Sequence, residues 1–169
     1  MNFLNSFKKI KNNTFKTVNI FYLTIILIIF FLDRYTKSQI IDNLNNNAYF
    51  FNDYINFDLI WNNGIGFGLL SSFPPLIYGL ITTLISLVIL FLIYLVFSSK
   101  FKFKIIFSVI IGGAIGNLYD RIIYKAVPDF IDLHYQNFHW FTFNLADIFI
   151  SIGIITYIFA DLVTYKKNV

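Results

Sequence analysis

Four apolar stretches, each close to the length of a membrane-crossing helix, decide most of what this chain of 169 residues can fold into. They run from Val18 to Leu32 with helical continuation to about Ile41, from Pro75 to Phe97, from Ile105 to Tyr119 and from Ile148 to Val163. A hydrocarbon core of roughly 30 Å takes about 20 helical residues, so the third and fourth need flanking residues to complete a span. Spans are therefore expected at about 18–41, 74–97, 103–122 and 144–165. Composition agrees: 57% of residues are hydrophobic and 13% charged, and 22 Phe with 11 Tyr exceed what a soluble domain of this size buries. The first stretch lacks a small-residue cleavage site and is followed by Asp33, Arg34 and Lys37, so it is expected to be retained as a span.

Lysine sets the expected orientation. Lys8, Lys9, Lys11 and Lys16 precede span one, Lys100, Lys102 and Lys104 lie between spans two and three, and Lys166 and Lys167 follow span four. By the positive-inside rule that face is cytoplasmic, which puts both termini inside. The opposite face then carries about Asp42 to Ser72 and about Tyr124 to Phe143. Turn signals at Asn45-Asn46-Asn47 and Asn62-Asn63-Gly64 bracket an aromatic and Ile-rich run from Tyr49 to Trp61, which reads as partly β. The expected fold class is membrane α-helical: four transmembrane helices with a small, partly β extracytoplasmic segment between helices 1 and 2. One domain over residues 18–165 is expected between a polar N-terminus, 1–17, and a tail, 166–169.

Several chemistries drop out. Without cysteine there is no disulfide, thiolate nucleophile or thiolate metal site, and His134 and His139 alone cannot fill a zinc site. No metal or other cofactor is expected. The net charge of +4 sits in short clusters beside apolar runs rather than in a patch with base-stacking aromatics, so membrane topology explains it and nucleic acid is not an expected partner.

All nine acids are Asp, and eight of them, Asp33, Asp42, Asp53, Asp58, Asp120, Asp129, Asp132 and Asp147, fall on or near the outer side. Span three ends in Gly112-Gly113-Ala114-Ile115-Gly116-Asn117-Leu118-Tyr119-Asp120-Arg121, whose Gly-x-x-x-Gly spacing suits close helix packing. Asn117, Asp120 and Arg121 are costly at the end of an apolar helix unless paired or facing a wet site, although Asp120 and Arg121 also read as an interface anchor and ion pair. Span four opens with Phe143-Asn144-Leu145-Ala146-Asp147, where Asn144 and Asp147 fit a capping-box variant. Asp129 lies in Val127-Pro128-Asp129-Phe130-Ile131-Asp132, inside the short loop that makes the outer ends of spans three and four neighbours. Two carboxyls held close share one proton: the ionised one accepts a proton from water while the other donates to a carbonyl or leaving amine. Spacing leaves open which two of Asp120, Asp129, Asp132 and Asp147 form such a pair. Asp33 and Lys37 stand at i and i+4, as a helix ion pair would, and Asn62-Asn63-Gly64-Ile65-Gly66-Phe67-Gly68 offers amide side chains and backbone donors to a peptide, or forms a turn.

In order and spacing, Asp33…Lys37, Asn62-x-Gly64-x-x-Phe67, Gly112-Gly113-x-x-Gly116-Asn117-x-x-Asp120-Arg121, Val127-x-Asp129-x-Ile131-Asp132 and Phe143-Asn144-x-Ala146-Asp147 resemble the lipoprotein signal peptidase (signal peptidase II) family over about Ile20 to Asp161. The resemblance implies catalytic aspartates at Asp129 and Asp147, substrate contacts at Asn62, Gly64, Asn117, Arg121 and Asn144, and supporting roles for Asp33, Lys37 and Asp120. It further implies a membrane aspartyl endopeptidase of the bacterial cytoplasmic (inner) membrane, metal-free and expected to be a monomer, with its active site at the extracytoplasmic face. The implied substrate is a diacylglyceryl-modified prolipoprotein, cut just before the lipidated cysteine. Ile65, Gly66 and Gly68, and Pro128 in place of a second Val, depart from the family pattern without removing an acid or amide.

Three other readings compete. A non-enzymatic membrane protein leaves the clustered Asp and Asn unexplained. A proton-coupled transporter wants its acids near the bilayer midplane. A serine-lysine peptidase has only Lys37 and Lys125 facing outward and no soluble domain to hold them.

Overall fold

Uninterrupted runs of Ile, Leu, Phe and Val, with proline kept out of their interiors, fold as four helices in the computed structural model, which describes residues 17–44, 48–64, 75–99 and 101–166. Helix α1 covers Thr17–Asn43, α2 Pro75–Ser98, α3 Phe101–Ile123 and α4 Leu145–Lys166. Each end departs from its expected span by one or two residues, and α2 opens on Pro75, whose fixed φ suits a first helical position. All four are long and apolar enough to cross a membrane, with window hydropathies of 1.5, 2.8, 1.5 and 1.9. The expectations resting on Lys8, Lys9, Lys11, Lys16, Lys100 and Lys167, on the turn at Asn45-Asn46-Asn47 and on Ile65 to Ser72 fall outside the described residues.

Helix α3 is the centre of the bundle and packs against the other three. Half of its most apolar window is buried, against 11% for α2, whose Leu76, Leu84 and Phe91 face outward as lipid-exposed side chains do. The bundle has two unlike ends. Around the N-terminal half of α3, Tyr22, Val96, Ile106, Phe107, Ile110 and Ile111 form an apolar core. Around its C-terminal half the buried groups are ionic and polar: Asp33, Lys37, Asn117, Asp120 and Arg121.

Glycines let the backbones meet. A Cβ at Gly112 would lie 2.8 Å from Ile29 Cβ of α1, and one at Gly113 would lie 2.6 Å from the Ala146 carbonyl oxygen of α4. The second obstacle is backbone and cannot swing aside. Gly113→Ala is expected to destabilise the fold by about 1–3 kcal/mol by forcing α3 and α4 apart. Unfolding in detergent micelles checks this, and an unchanged midpoint contradicts it.

A four-stranded antiparallel sheet joins the outer ends in the order β1 (Tyr49–Phe50), β2 (Ile55–Asn62), β3 (Val127–Tyr135) and β4 (Phe138–Phe143). The expected β content between α1 and α2 is therefore present as β1 and β2. The sheet also takes in β3 and β4, from a segment read as a loop between α3 and α4. Strand β3 pairs with β2 from Ile55↔Leu133 to Asn62↔Val127 and with β4 from Ile131↔Phe143 to Tyr135↔Phe138. Pro128 thus sits where β3 has a neighbour on one side only, so its missing N–H leaves no gap in the β3–β4 ladder.

Candidate active site

Register carries Asp129 to the bundle. The pairs Ile60↔Asp129 and Asn62↔Val127 put the last turn-ward residues of β2 beside the start of β3, at the mouth of α4. There Asn62 Nδ2 donates to Asp129 Oδ2 at 2.8 Å, and Asn144 Nδ2 donates to Asp129 Oδ1 at 2.6 Å. Asp129 is only 2% exposed.

Asp147 arrives from the other direction, in the first turn of α4. The Asn144 amide N–H donates to Asp147 Oδ2 at 3.2 Å, while the Asp147 N–H donates to Asn144 Oδ1 at 3.1 Å, a reciprocal cap of the expected kind. Asn117 Nδ2 supplies a second donor, to Asp147 Oδ1 at 2.8 Å. Asn144 therefore holds both acids, Asp129 through its NH2 group and Asp147 through its oxygen and backbone. Asp147 also borders a cavity of about 300 Å³ whose other walls are Phe141, Phe143, Ile148, Ser151, Ile152 and Ile155.

Burial pushes the Asp129 carboxyl up from 3.8 to about 6, the charge of Asp147 adds to the push, and the hydrogen bonds from Asn62 and Asn144 offset part of it. A carboxyl whose folded-state value lies above its unfolded one contributes stability that is full below about pH 4 and lost as pH rises through about 6. Asp129→Asn removes that dependence. Relative to the variant, the native protein is expected to lose up to about 3 kcal/mol between pH 4 and pH 7. Unfolding both proteins at pH 4, 5, 6 and 7 reads the gap, and a gap that stays constant contradicts the assigned titration.

The remaining expected residues separate into two groups. Lys37 is fully buried and donates to Asp33 Oδ2, Asn117 Oδ1 and Asp120 Oδ2, each at 2.8 Å. Asp33 Oδ1 accepts from the Ala146 N–H at 3.1 Å, and Gly116 is obligatory because any Cβ there would collide with the Asp33 carboxylate. Asp120 forms an ion pair with Arg34 as well. It does not pair with Arg121, since consecutive helix residues point about 100° apart. Arg121 NH1 donates to the Asn117 carbonyl at 3.1 Å and NH2 to the Gly64 carbonyl at 3.3 Å, while the Gly64 N–H is taken by Asn62 Oδ1 at 2.8 Å. The Gly64 amide, one of the backbone donors considered for a peptide, is thus engaged internally. Asp132 stands apart, its Oδ2 2.7 Å from His139 Nδ1 and next to the buried His134. Of the four acids that spacing left open, Asp120 is committed to cations and Asp132 to imidazole, and Asp129 and Asp147 share an asparagine. Among the described residues no cluster of His, Cys, Asp or Glu fits a metal ion.

Sequence reasoning missed Arg34, His139 and the Ala146 amide. The i, i+4 spacing that flagged Lys37 did not flag Arg34, whose closer ion pair, to Asp120, is on another helix. A backbone N–H carries no sequence signal at all.

Comparison with known proteins closes the question of descent. The family model for signal peptidase (SPase) II matches residues 25–163. The lipoprotein signal peptidase of Pelagibacter ubique (strain HTCC1062) is 46% identical over 149 residues, covering 86% of this chain and 90% of that relative. That of Aquifex aeolicus (strain VF5) is 42% identical over 138 residues, 79% of this chain and 80% of the relative. A bacterial membrane enzyme solved by the in meso method superposes with a TM-score of 0.73 at 26% identity, over 86% of this chain and 90% of the other. With four helices fit to cross a bilayer and a family match that spans both aspartates, this chain belongs to the signal peptidase II family, the A8 family of aspartic peptidases.

Proposed function

We propose that this membrane peptidase removes signal peptides from prolipoproteins carrying a diacylglyceryl group on cysteine, cleaving just before that cysteine. Asp129 and Asp147 act as a pair on one water molecule. The ionised aspartate takes a proton from water as its oxygen attacks the scissile carbonyl carbon, and the protonated aspartate gives its proton to the carbonyl oxygen. Collapse of the tetrahedral diol breaks the C–N bond, and the departing cysteine amine leaves with a proton from the pair. Protons and electrons balance with one water consumed.

The observation that carries this reading is the asparagine shared by two acids, one buried on a strand and one beside an apolar cavity. A lipid-anchored cysteine keeps its scissile bond near headgroup depth, and in this reading both acids lie there, Asp129 at the start of β3 and Asp147 in the first turn of α4. In this reading Asn62, Asn117 and Asn144 orient the acids and, with Gly64 and Arg121, line the path of the substrate, while Asp33, Lys37 and Asp120 support them from behind. The peptidase unit spans residues 18–165, both termini face the cytoplasm, the site faces outward, and one chain holds everything the reaction needs. The aromatic side chains of Tyr54, just before β2, and of Trp61, on β2, are exposed, as residues of a membrane interface are.

The test is the dependence on lipid. Purified protein in liposomes is given a prolipoprotein with and without its diacylglyceryl group. Cleavage of the lipidated form alone is expected, and failure of active, folded protein to cut it refutes the proposal.

A further inference from the structure

The two aspartates are not equivalently supported, and the difference traces to one buried lysine. We infer that Lys37 is a positioning residue that makes Asp147 the ionised member of the pair, acting through Asn117; the inference rests on the proposed dyad.

An asparagine side chain can present either its oxygen or its NH2 group, and only its surroundings choose. Lys37 has three protons and no lone pair. By donating one of them to Asn117 Oδ1 it obliges Asn117 to turn its NH2 group toward Asp147 Oδ1. The two other protons go to Asp33 and Asp120, so the ammonium cannot rotate away without breaking an ion pair. A second path runs beside the first: Asp33, held by Lys37 at Oδ2, accepts the N–H of Ala146, the residue before Asp147. Side chain and backbone of the acid are thus both fixed from one ammonium group.

The donors named on Asp147 are N–H groups, which favour the carboxylate, and its place in the first turn of α4 adds the positive end of a helix. Asp129 also accepts two N–H bonds, from Asn62 and Asn144, but it sits on a strand without the helix end and is 2% exposed, so it is the better holder of the shared proton. Charge balance agrees. The groups facing the pair are Asp33, Arg34 and Lys37 from α1, Asp120 and Arg121 from α3, Asp129 from β3 and Asp147 from α4. Three cations meet four acids, and a single proton kept by the pair makes the cluster neutral.

The test separates field from linkage. In Lys37→Met/Asp120→Asn one cation and one acid leave together, so the cluster stays balanced, but Asn117 loses the donor that orients it. In Asn117→Leu every charge stays and only the link is cut. Both are assayed for kcat, KM and the pH dependence of kcat, in liposomes with lipidated prolipoprotein. For the double variant we expect KM within about twofold of the parent, kcat lowered about 10- to 100-fold as for other groups that orient a reactive residue from behind, and the acidic limb of the profile raised by about one pH unit. Asn117→Leu is expected to show the same lowered kcat and raised limb. Parental kcat and an unshifted limb in either folded variant overturn the inference, as does a lowered kcat with the limb unmoved. If the parent protein cleaves and Asp129→Asn or Asp147→Asn does so equally well, the dyad itself has failed instead.

Discussion

Asp129→Asn and Asp147→Asn are each expected to lower kcat by about 10⁴-fold or more in protein that remains folded, the scale of loss when one member of a catalytic unit is removed. Asparagine keeps the size of the side chain and can still accept one bond from Asn62, Asn117 or Asn144. It can neither take a proton from water nor pass one to a carbonyl oxygen at neutral pH. On the proposed mechanism the acids work on one water molecule, so their losses are not expected to add. The double variant is expected to be no more than about threefold worse than either single one. Single-turnover cleavage under enzyme excess measures all three, and an additive loss would mean that the two carboxyls act in separate steps.

The second large effect is on stability. Lys37→Met alone leaves Asp33 and Asp120, both fully buried, without their central cation, and Arg34 reaches them only from one side. Breaking one partner out of a buried ion cluster costs about 3–5 kcal/mol, since the remaining charge is neither solvated nor paired. Adding Asp120→Asn is expected to recover most of that loss, because the cluster is balanced again. Unfolding of the single and double variants in the same detergent reads both numbers. A Lys37→Met protein within about 1 kcal/mol of the parent would show that apolar packing, and not this cluster, ties α1 to α3.

The spans were legible because hydropathy is local: Leu76 to Phe97 needs no partner to be recognised as a membrane helix, and Pro75 marks its start. Strand β3 was not. Val127–Tyr135 carries a proline and three polar residues, and what makes it a strand is pairing with β2, more than 60 residues earlier. The consequence reaches the site, for it is this pairing that brings Asn62 to Asp129. Asp33 and Lys37 were visible as a helix pair, yet their full burial depends on Asp120 and Asn117, some 80 residues away along the chain. In the same way four outer acids looked interchangeable in the sequence. Their partners distinguish them: Lys37 and Arg34 for Asp120, His139 for Asp132, and Asn144 for both Asp129 and Asp147.

On the proposed mechanism, water activated by the aspartate pair cleaves the bond before the lipidated cysteine. Cleaving a diacylglyceryl-modified prolipoprotein in ¹⁸O-labelled water and weighing both products by mass spectrometry tests it most directly. The expected result is a lipoprotein beginning at the lipidated cysteine and a released peptide with one ¹⁸O in its new carboxylate. A cut at any other bond, or a released peptide without the label, would contradict it.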